Sequence, residues 1–160
     1  MYNTDKKRKG ELPLYQYWYR KTSNNPNLIN RFIYLFVSFL YKVEIPYKCK
    51  IGKGLYIGHP YNITINPAAI IGSNCNIHKG VTIGKENRGK RAGAPIIGNN
   101  VWIGVNSTIV GNIRIGNDVL IAPNTFVNVD VPSHSVVFGN PCIVKSKENA
   151  TEGYINNIVE

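Results

Sequence analysis

From Val43 onward the apolar positions recur every six residues. Counting from Ile45 gives Ile45, Ile51 and Ile57. After a two-residue insertion the series resumes as Ile65, Ile71, Ile77 and Ile83. After a longer insertion it runs Ile97, Ile103, Ile109, Ile115, Ile121 and Val127. A second apolar or small set lies four residues on, at Cys49, Leu55, Cys75, Val81, Val101, Ser107, Ile113, Val119 and Thr125. A period of six fits neither the 3.6 of a helix nor the 2 of an alternating strand. It predicts a short strand followed by a tight corner, three such units closing one triangular coil. The aliphatic residue then points at the coil axis and stacks on its equivalent one coil away. Gly and Asn suit the corners because positive φ costs them least, and Asn74, Asn99, Asn100, Asn106, Asn117 and Asn124 fall in those slots. One coil cannot bury its own interior, so stacking is what stabilises it. The fold expected is mainly β, a parallel β-helix over residues 43–144.

Two flanking segments lack this period. In residues 1–42, Leu28, Phe32, Leu35, Phe36, Phe39 and Leu40 recur at helical spacing, with Pro46 soon after. The stretch Leu12 to Lys21 is aromatic, with Tyr15, Tyr17, Trp18 and Tyr19. Both are expected to pack on the main domain or on a neighbouring subunit. A membrane-surface role for the Phe32 to Tyr41 face is the other reading. Residues 145–160 read as a tail or short helix.

Composition narrows the functional classes. Of 160 residues, 19 are Lys or Arg and 9 are Asp or Glu, a net charge of +10. Between Ile45 and Asn117 the only carboxylate side chain is that of Glu86. A carboxylate-rich metal site and a paired-carboxylate glycosidase are therefore not expected. The bases are scattered and no nucleic-acid motif accompanies them, so no nucleic-acid partner is expected. Three cysteines at irregular spacing read as reduced thiols of a cytoplasmic protein. The polar opening Met1 to Gly10 does not read as a signal peptide, and the apolar run Phe32 to Tyr41 is too short to span a bilayer.

The hexads resemble those of the hexapeptide-repeat acyltransferases, whose fold is a left-handed parallel β-helix. The string Val131 to Cys142 (VPSHSVVFGNPC) is similar to their closing signature, with Cys142 where Ala is usual. Val43-Glu44-Ile45, followed by Lys50 to His59 (KIGKGLYIGH), resembles a segment of the serine O-acetyltransferases and of the related capsule and colanic-acid acetyltransferases. That resemblance implies an O-acetyltransferase using acetyl-CoA as co-substrate, assembled as a homotrimer, with no metal.

The resemblance also assigns roles. His59, at the two-residue break, stands where the general base would be. An imidazole there can take a proton from an attacking hydroxyl. Glu44, fifteen residues back and close to one coil away, stands where the family has an Asp that orients the base. Lys85, Gly104, Val105, Ala122 and Pro123 match positions along the CoA groove, and Lys145 and Lys147 could meet the 3′-phosphate. The long insertion from Lys85 to Ile96 carries Arg88, Lys90 and Arg91, a basic loop suited to an anionic ligand. His78 should point outward from an ordinary hexad, at a plain surface position or, as the alternative, lining a groove; His134 reads as structural. A triple-His zinc site does not match their spacing. In serine acetyltransferases an Asp precedes the catalytic His and an Arg-His pair sits in the loop. Here those positions are Gly58, Gly93 and Ala94. These departures favour a sugar hydroxyl of a surface polysaccharide as acceptor, with L-serine the alternative. A non-catalytic β-helix scaffold is the reading from another class.

Overall fold

The computed structural model describes residues 1–160. Three helices open the chain: α1 (Tyr2–Lys7), α2 (Pro13–Asn24) and α3 (Leu28–Tyr41). Short strands then follow one another around three faces. Sheet A holds β1 (Val43–Glu44), β4 (Ile63–Ile65), β7 (Thr82–Gly84), β10 (Thr108–Val110) and β13 (Phe126–Val127). Sheet B holds β2 (Lys50–Ile51), β5 (Ile70–Ile71), β8 (Ile96–Ile97) and β11 (Arg114–Ile115). Sheet C holds β3 (Tyr56–Gly58), β6 (Asn76–His78), β9 (Val101–Ile103), β12 (Val119–Ile121), β14 (Ser135–Phe138) and the antiparallel β15 (Ile143–Ser146). Each coil visits A, B and C in turn, and every pairing between coils is parallel and in register. The result is a left-handed parallel β-helix of about five turns.

The hexad residues form its interior. All thirteen are buried, from Ile57 at 0% exposure to Ile51 at 5%. Ile57 stacks on Ile77, Ile77 on Ile103, and Ile103 on Ile121. The second set is buried too, and Val131 and Val137 extend it into the last coil. Corners divide into two kinds. Asn74, Asn100, Asn106 and Asn124 adopt the left-handed conformation, with φ between 53° and 58°. Asn99 and Asn117 instead receive backbone N–H groups from the preceding coil: Ser73 N donates to Asn99 Oδ1 at 2.8 Å and Asn99 N to Asn117 Oδ1 at 2.7 Å. The glycines after the hexads permit the close stacking this needs; a Cβ at Gly104 would meet Pro123 N at 2.6 Å.

The first coil has no strand above it, and the helices cover its open edge. Tyr19 Oη donates to Cys49 O at 2.8 Å, Gln16 Nε2 to Leu55 O at 2.7 Å, and Arg20 to Ile51 O and Gly52 O at 2.7 and 2.6 Å. Tyr34 Oη donates to Ile45 O. Asp5 accepts from Leu55 N at 2.9 Å and pairs with Arg20 at 2.7 Å, both side chains buried. Backbone groups that would be orphaned at a solenoid end are thereby satisfied. The aromatic segment does pack on the main domain. The α3 face does not: Leu28, Phe32, Leu35, Phe36, Phe39 and Leu40 are exposed, and Asn30, Tyr34 and Val37 face inward. The inward face carries Tyr34, whose hydroxyl reaches Ile45 O, and not the most apolar stripe.

The final segment is held to the prism. Asp118 accepts from Ala150 N, Thr151 N and Thr151 Oγ1, the last at 2.6 Å. The chain then runs back toward the first coils, where Asn74 exchanges two bonds of 3.0 Å with the Val159 backbone.

Candidate active site

The corners between sheets C and A carry the interesting chemistry. Four successive corners stack there: His59 to Asn62, Lys79 to Gly80, Gly104 to Asn106, and Ala122 to Asn124. The first is the two-residue break, and it is unusually contorted. His59, Tyr61 and Asn62 all have positive φ, at 62°, 82° and 57°. Such backbone in non-glycine residues costs energy and persists only where the surroundings enforce it.

Tyr61 N and Asn62 N donate to Tyr41 O and Lys42 O at the end of α3, at 3.0 and 2.8 Å, and the His59 end meets the link between α1 and α2. Glu11 N donates to Ile57 O at 3.2 Å. This places the Glu11 carboxylate against the corner, where Oε2 accepts from His59 N at 3.2 Å and lies 3.0 Å from His59 Nδ1. A carboxylate at Nδ1 favours the tautomer that carries its proton there and leaves Nε2 free to accept one.

Within one chain Glu11, not Glu44, lies against His59. Glu44 pairs in register with Thr64 on β4 and points outward from sheet A, where it lines an open groove with Lys42, Asn62, Thr64 and Thr82. It makes no ion pair with His59. The fifteen-residue interval brings the two into adjacent coils, yet the break turns His59 away from sheet A and toward Glu11. Glu11 escaped the sequence reading because it lies forty-eight residues away in a segment without periodicity.

The remaining expected residues divide by edge. Gly104, Val105, Ala122 and Pro123 share the C–A edge with His59. They lie two and three coils below it, ~10 and ~14 Å at the usual strand spacing. Lys85, Arg88, Lys90 and Arg91 lie at the A–B edge, in a loop closed by a Glu86–Gly93 bridge. All four basic side chains are exposed. Lys145 lies on β15 over the Phe138 ring, and Lys147 lies at the B–C edge, its N–H on His134 O. One chain therefore does not gather the loop, these lysines and His59 at a single place. His134 bonds Asp118 Oδ2 at 2.9 Å, far round the prism from His59. The Asp118 carboxyl is opposed by burial, but the hydrogen bonds from Thr151, His134 and Ala150 outweigh it and hold the carboxyl below its ordinary value.

His78 departs from the surface position expected for it. It follows Ile77 opposite Gly58, half-buried between Tyr56 and Trp102, with its ring 4.8 Å from that of Trp102. The space is available because residue 58 is glycine; a Cβ there would meet His78 Nδ1 at 2.7 Å. Burial lowers the His78 pKa, the neighbouring His59 lowers it further, and Glu11 opposes both. Its Nε2 is buried without a partner.

Repeat and prism define a left-handed β-helix built from hexapeptide repeats. A family described as bacterial transferase hexapeptide (six repeats) matches residues 94–129. The chain resembles the serine O-acetyltransferases. It is 40% identical over 107 residues to serine acetyltransferase 4 of Arabidopsis thaliana, covering 66% of this chain and 30% of that protein. It is 38% identical over 115 residues to the serine acetyltransferase of Staphylococcus epidermidis, covering 72% of this chain and 54% of that one. The serine acetyltransferase of Neisseria gonorrhoeae, in complex with serine, superposes with a TM-score of 0.69 at 30% identity, over 84% of this chain and 55% of that one. The chain thus spans at most about half the length of these relatives.

Proposed function

We propose that this chain transfers the acetyl group of acetyl-CoA to a hydroxyl acceptor. The observation that carries the reading is the His59–Glu11 pair standing on the same prism edge as the Gly104–Val105 and Ala122–Pro123 corners. In this reading His59 Nε2 takes the acceptor's hydroxyl proton as its oxygen attacks the thioester carbonyl. The tetrahedral adduct collapses, the C–S bond breaks, and the imidazolium returns the proton to the departing thiolate. Glu11 keeps the imidazole oriented and stabilises its cation. The corners below supply backbone groups for the pantetheine arm. No covalent enzyme intermediate is needed.

The relatives favour L-serine as acceptor, and with it a step in cysteine biosynthesis. Gly58, Gly93 and Ala94 favour the second reading, a sugar hydroxyl of a surface polysaccharide. A homotrimer follows from the split of the site between edges, since a neighbour's A–B loop could then meet the C–A edge. The exposed α3 face is free for a subunit or a membrane surface. A cytoplasmic location suits acetyl-CoA and the reduced thiols.

Release of CoA thiol, followed with L-serine and with a panel of sugars, tests the reading. Turnover with serine supports the first acceptor, and turnover with sugars alone the second. No turnover with any acceptor leaves the scaffold reading.

A further inference from the structure

A second feature adjoins His59 and is unexplained by acetyl transfer alone. Arg8 is 2% exposed, yet no carboxylate pairs with it. One terminal nitrogen donates to Asn156 O and the other to Asn76 Oδ1, and its Nε finds no partner. The contrast within the same segment is sharp: the other buried guanidinium, that of Arg20, is neutralised by Asp5 at 2.7 Å. A buried cation with only neutral partners is costly, and an incoming anion offsets that cost. Burial accordingly pulls the Arg8 pKa down.

Arg8 does not face a closed core. It lines a pocket of about 260 Å³ between the outer face of sheet C, the link after α1 and the C-terminal tail. The other walls are Lys9, Tyr56, Asn76, His78, Trp102 and Tyr154, with Asn156 and Asn157 from the tail. Two cationic side chains line it and no acidic one does. Three aromatic rings line it as well, Trp102 and Tyr154 meeting edge to face at 5.2 Å. His78 adds a second polar atom without a partner, Nε2. Burial lowers its pKa from the ordinary imidazole value, which favours the neutral ring, and Nε2 can bond a hydroxyl. His78 is also the link to the reaction site, because it pairs in register with Gly58, the residue before His59.

These walls set the ligand's chemistry. A cation pair calls for a negative group. Flat aromatic faces call for a ring with apolar C–H surface. Unpartnered Nε2, together with Asn side chains, calls for hydroxyls. A volume below the ~300–1,000 Å³ of drug-sized sites admits one small ring and no chain of them. We propose that this pocket binds a monosaccharide acid, its carboxylate against Arg8 and Lys9, its ring against Trp102, and its hydroxyls toward His78. As an acceptor site beside His59 it rests on the acetyl-transfer reading above; as a binding site it does not.

The test uses the full chain with Trp18→Phe, so that Trp102 is the sole indole. D-glucuronate is titrated against D-glucose, sodium acetate and L-serine while fluorescence is read, and CoA release is followed in parallel. Glucuronate is expected to quench saturably and to bind about tenfold or more tightly than glucose, the increment of one charge-assisted hydrogen bond. Lys9→Ala, at an exposed position, should narrow that ratio. Trp102→Ala, scored by CoA release because it removes the probe, should raise the KM for glucuronate with secondary structure unchanged by circular dichroism. Glucuronate binding no tighter than glucose or acetate overturns the proposal. Quenching without CoA release for any acceptor leaves the pocket standing and overturns acetyl transfer. Serine turnover without glucuronate quenching does the reverse.

Discussion

The two carboxylates that compete for His59, Glu44 by sequence spacing and Glu11 by structure, separate cleanly by experiment. General-base removal costs ~10²–10⁴-fold in rate, so His59→Ala should reduce kcat by that range with the acetyl-CoA KM little changed. Glu11→Gln keeps a hydrogen bond to Nδ1 but loses the charge that stabilises the imidazolium. It should cut kcat by about tenfold or more, whereas Glu44→Gln should change it by less than about twofold, because the Glu44 carboxylate faces the sheet A groove. A larger loss for Glu44→Gln would return the orienting role to the family's position. The cysteines offer a test of the fold that is independent of activity. Burial pushes the Cys75 thiol up to about 12 and the Cys49 thiol up to about 11, while Cys142 is only half-buried. Native protein at pH 8 should therefore release one equivalent of thionitrobenzoate quickly, from Cys142, and the others only on unfolding.

Among the elements, the strands and corners are where pattern and structure coincide. The hexad list predicts the buried ladder because each aliphatic has one environment, the prism axis. Ile77→Ala, at the centre of that ladder, should cost about 2–5 kcal/mol in denaturant melts. The helices show the limit of such reading. Periodicity locates α3 but leaves open whether its apolar stripe meets the main domain or a neighbouring subunit; in this chain the Tyr34 hydroxyl on Ile45 O marks the docking face of α3, as the buried Asp5–Arg20 pair marks that of α1 and α2. Those are tertiary contacts between residues eleven to fifty positions apart, and no local spacing encodes them. The same holds for the site. His59 is legible because it interrupts a repeat; Glu11 and Arg8 are not, because nothing in residues 1–12 is periodic. The C-terminal tail is a third case, tied down by Asp118 at its start and by Arg8, Asn76 and Asn74 further on. Asp118→Asn should cost about 2 kcal/mol by weakening three charge-assisted bonds. The Asp118 pKa is depressed by folding, so its contribution is fully present above the unfolded value near 3.9 and is lost as pH falls through the lower folded value. The wild-type and variant melts should therefore draw together as the pH falls below the unfolded value near 3.9.

At the scale of the whole molecule, the division of functional residues between edges becomes an argument about assembly. In a triangular prism the three edges of one chain cannot meet. The basic loop from Lys85 sits at the A–B edge and His59 at the C–A edge. If both serve one reaction, the second edge must come from another copy, and a closed threefold ring satisfies every edge at once. This makes a prediction that a monomeric enzyme cannot meet. Chains with His59→Ala lack the base but keep the loop; chains with Arg88, Lys90 and Arg91 all changed to Ala keep the base but lack the loop's charge. Each alone should be nearly inactive. Unfolded together and refolded as a mixture, they should form some sites with an intact base and an intact loop. For random mixing of equal amounts, about a quarter of the edge contacts pair the two intact surfaces, so about a quarter of wild-type activity should return. Mixing the folded variants without subunit exchange should return none. Recovery after joint refolding, together with a threefold mass by light scattering, would establish that the loop acts on a neighbour's His59. Full activity in the loop variant alone would instead confine the reaction to the C–A edge of one chain.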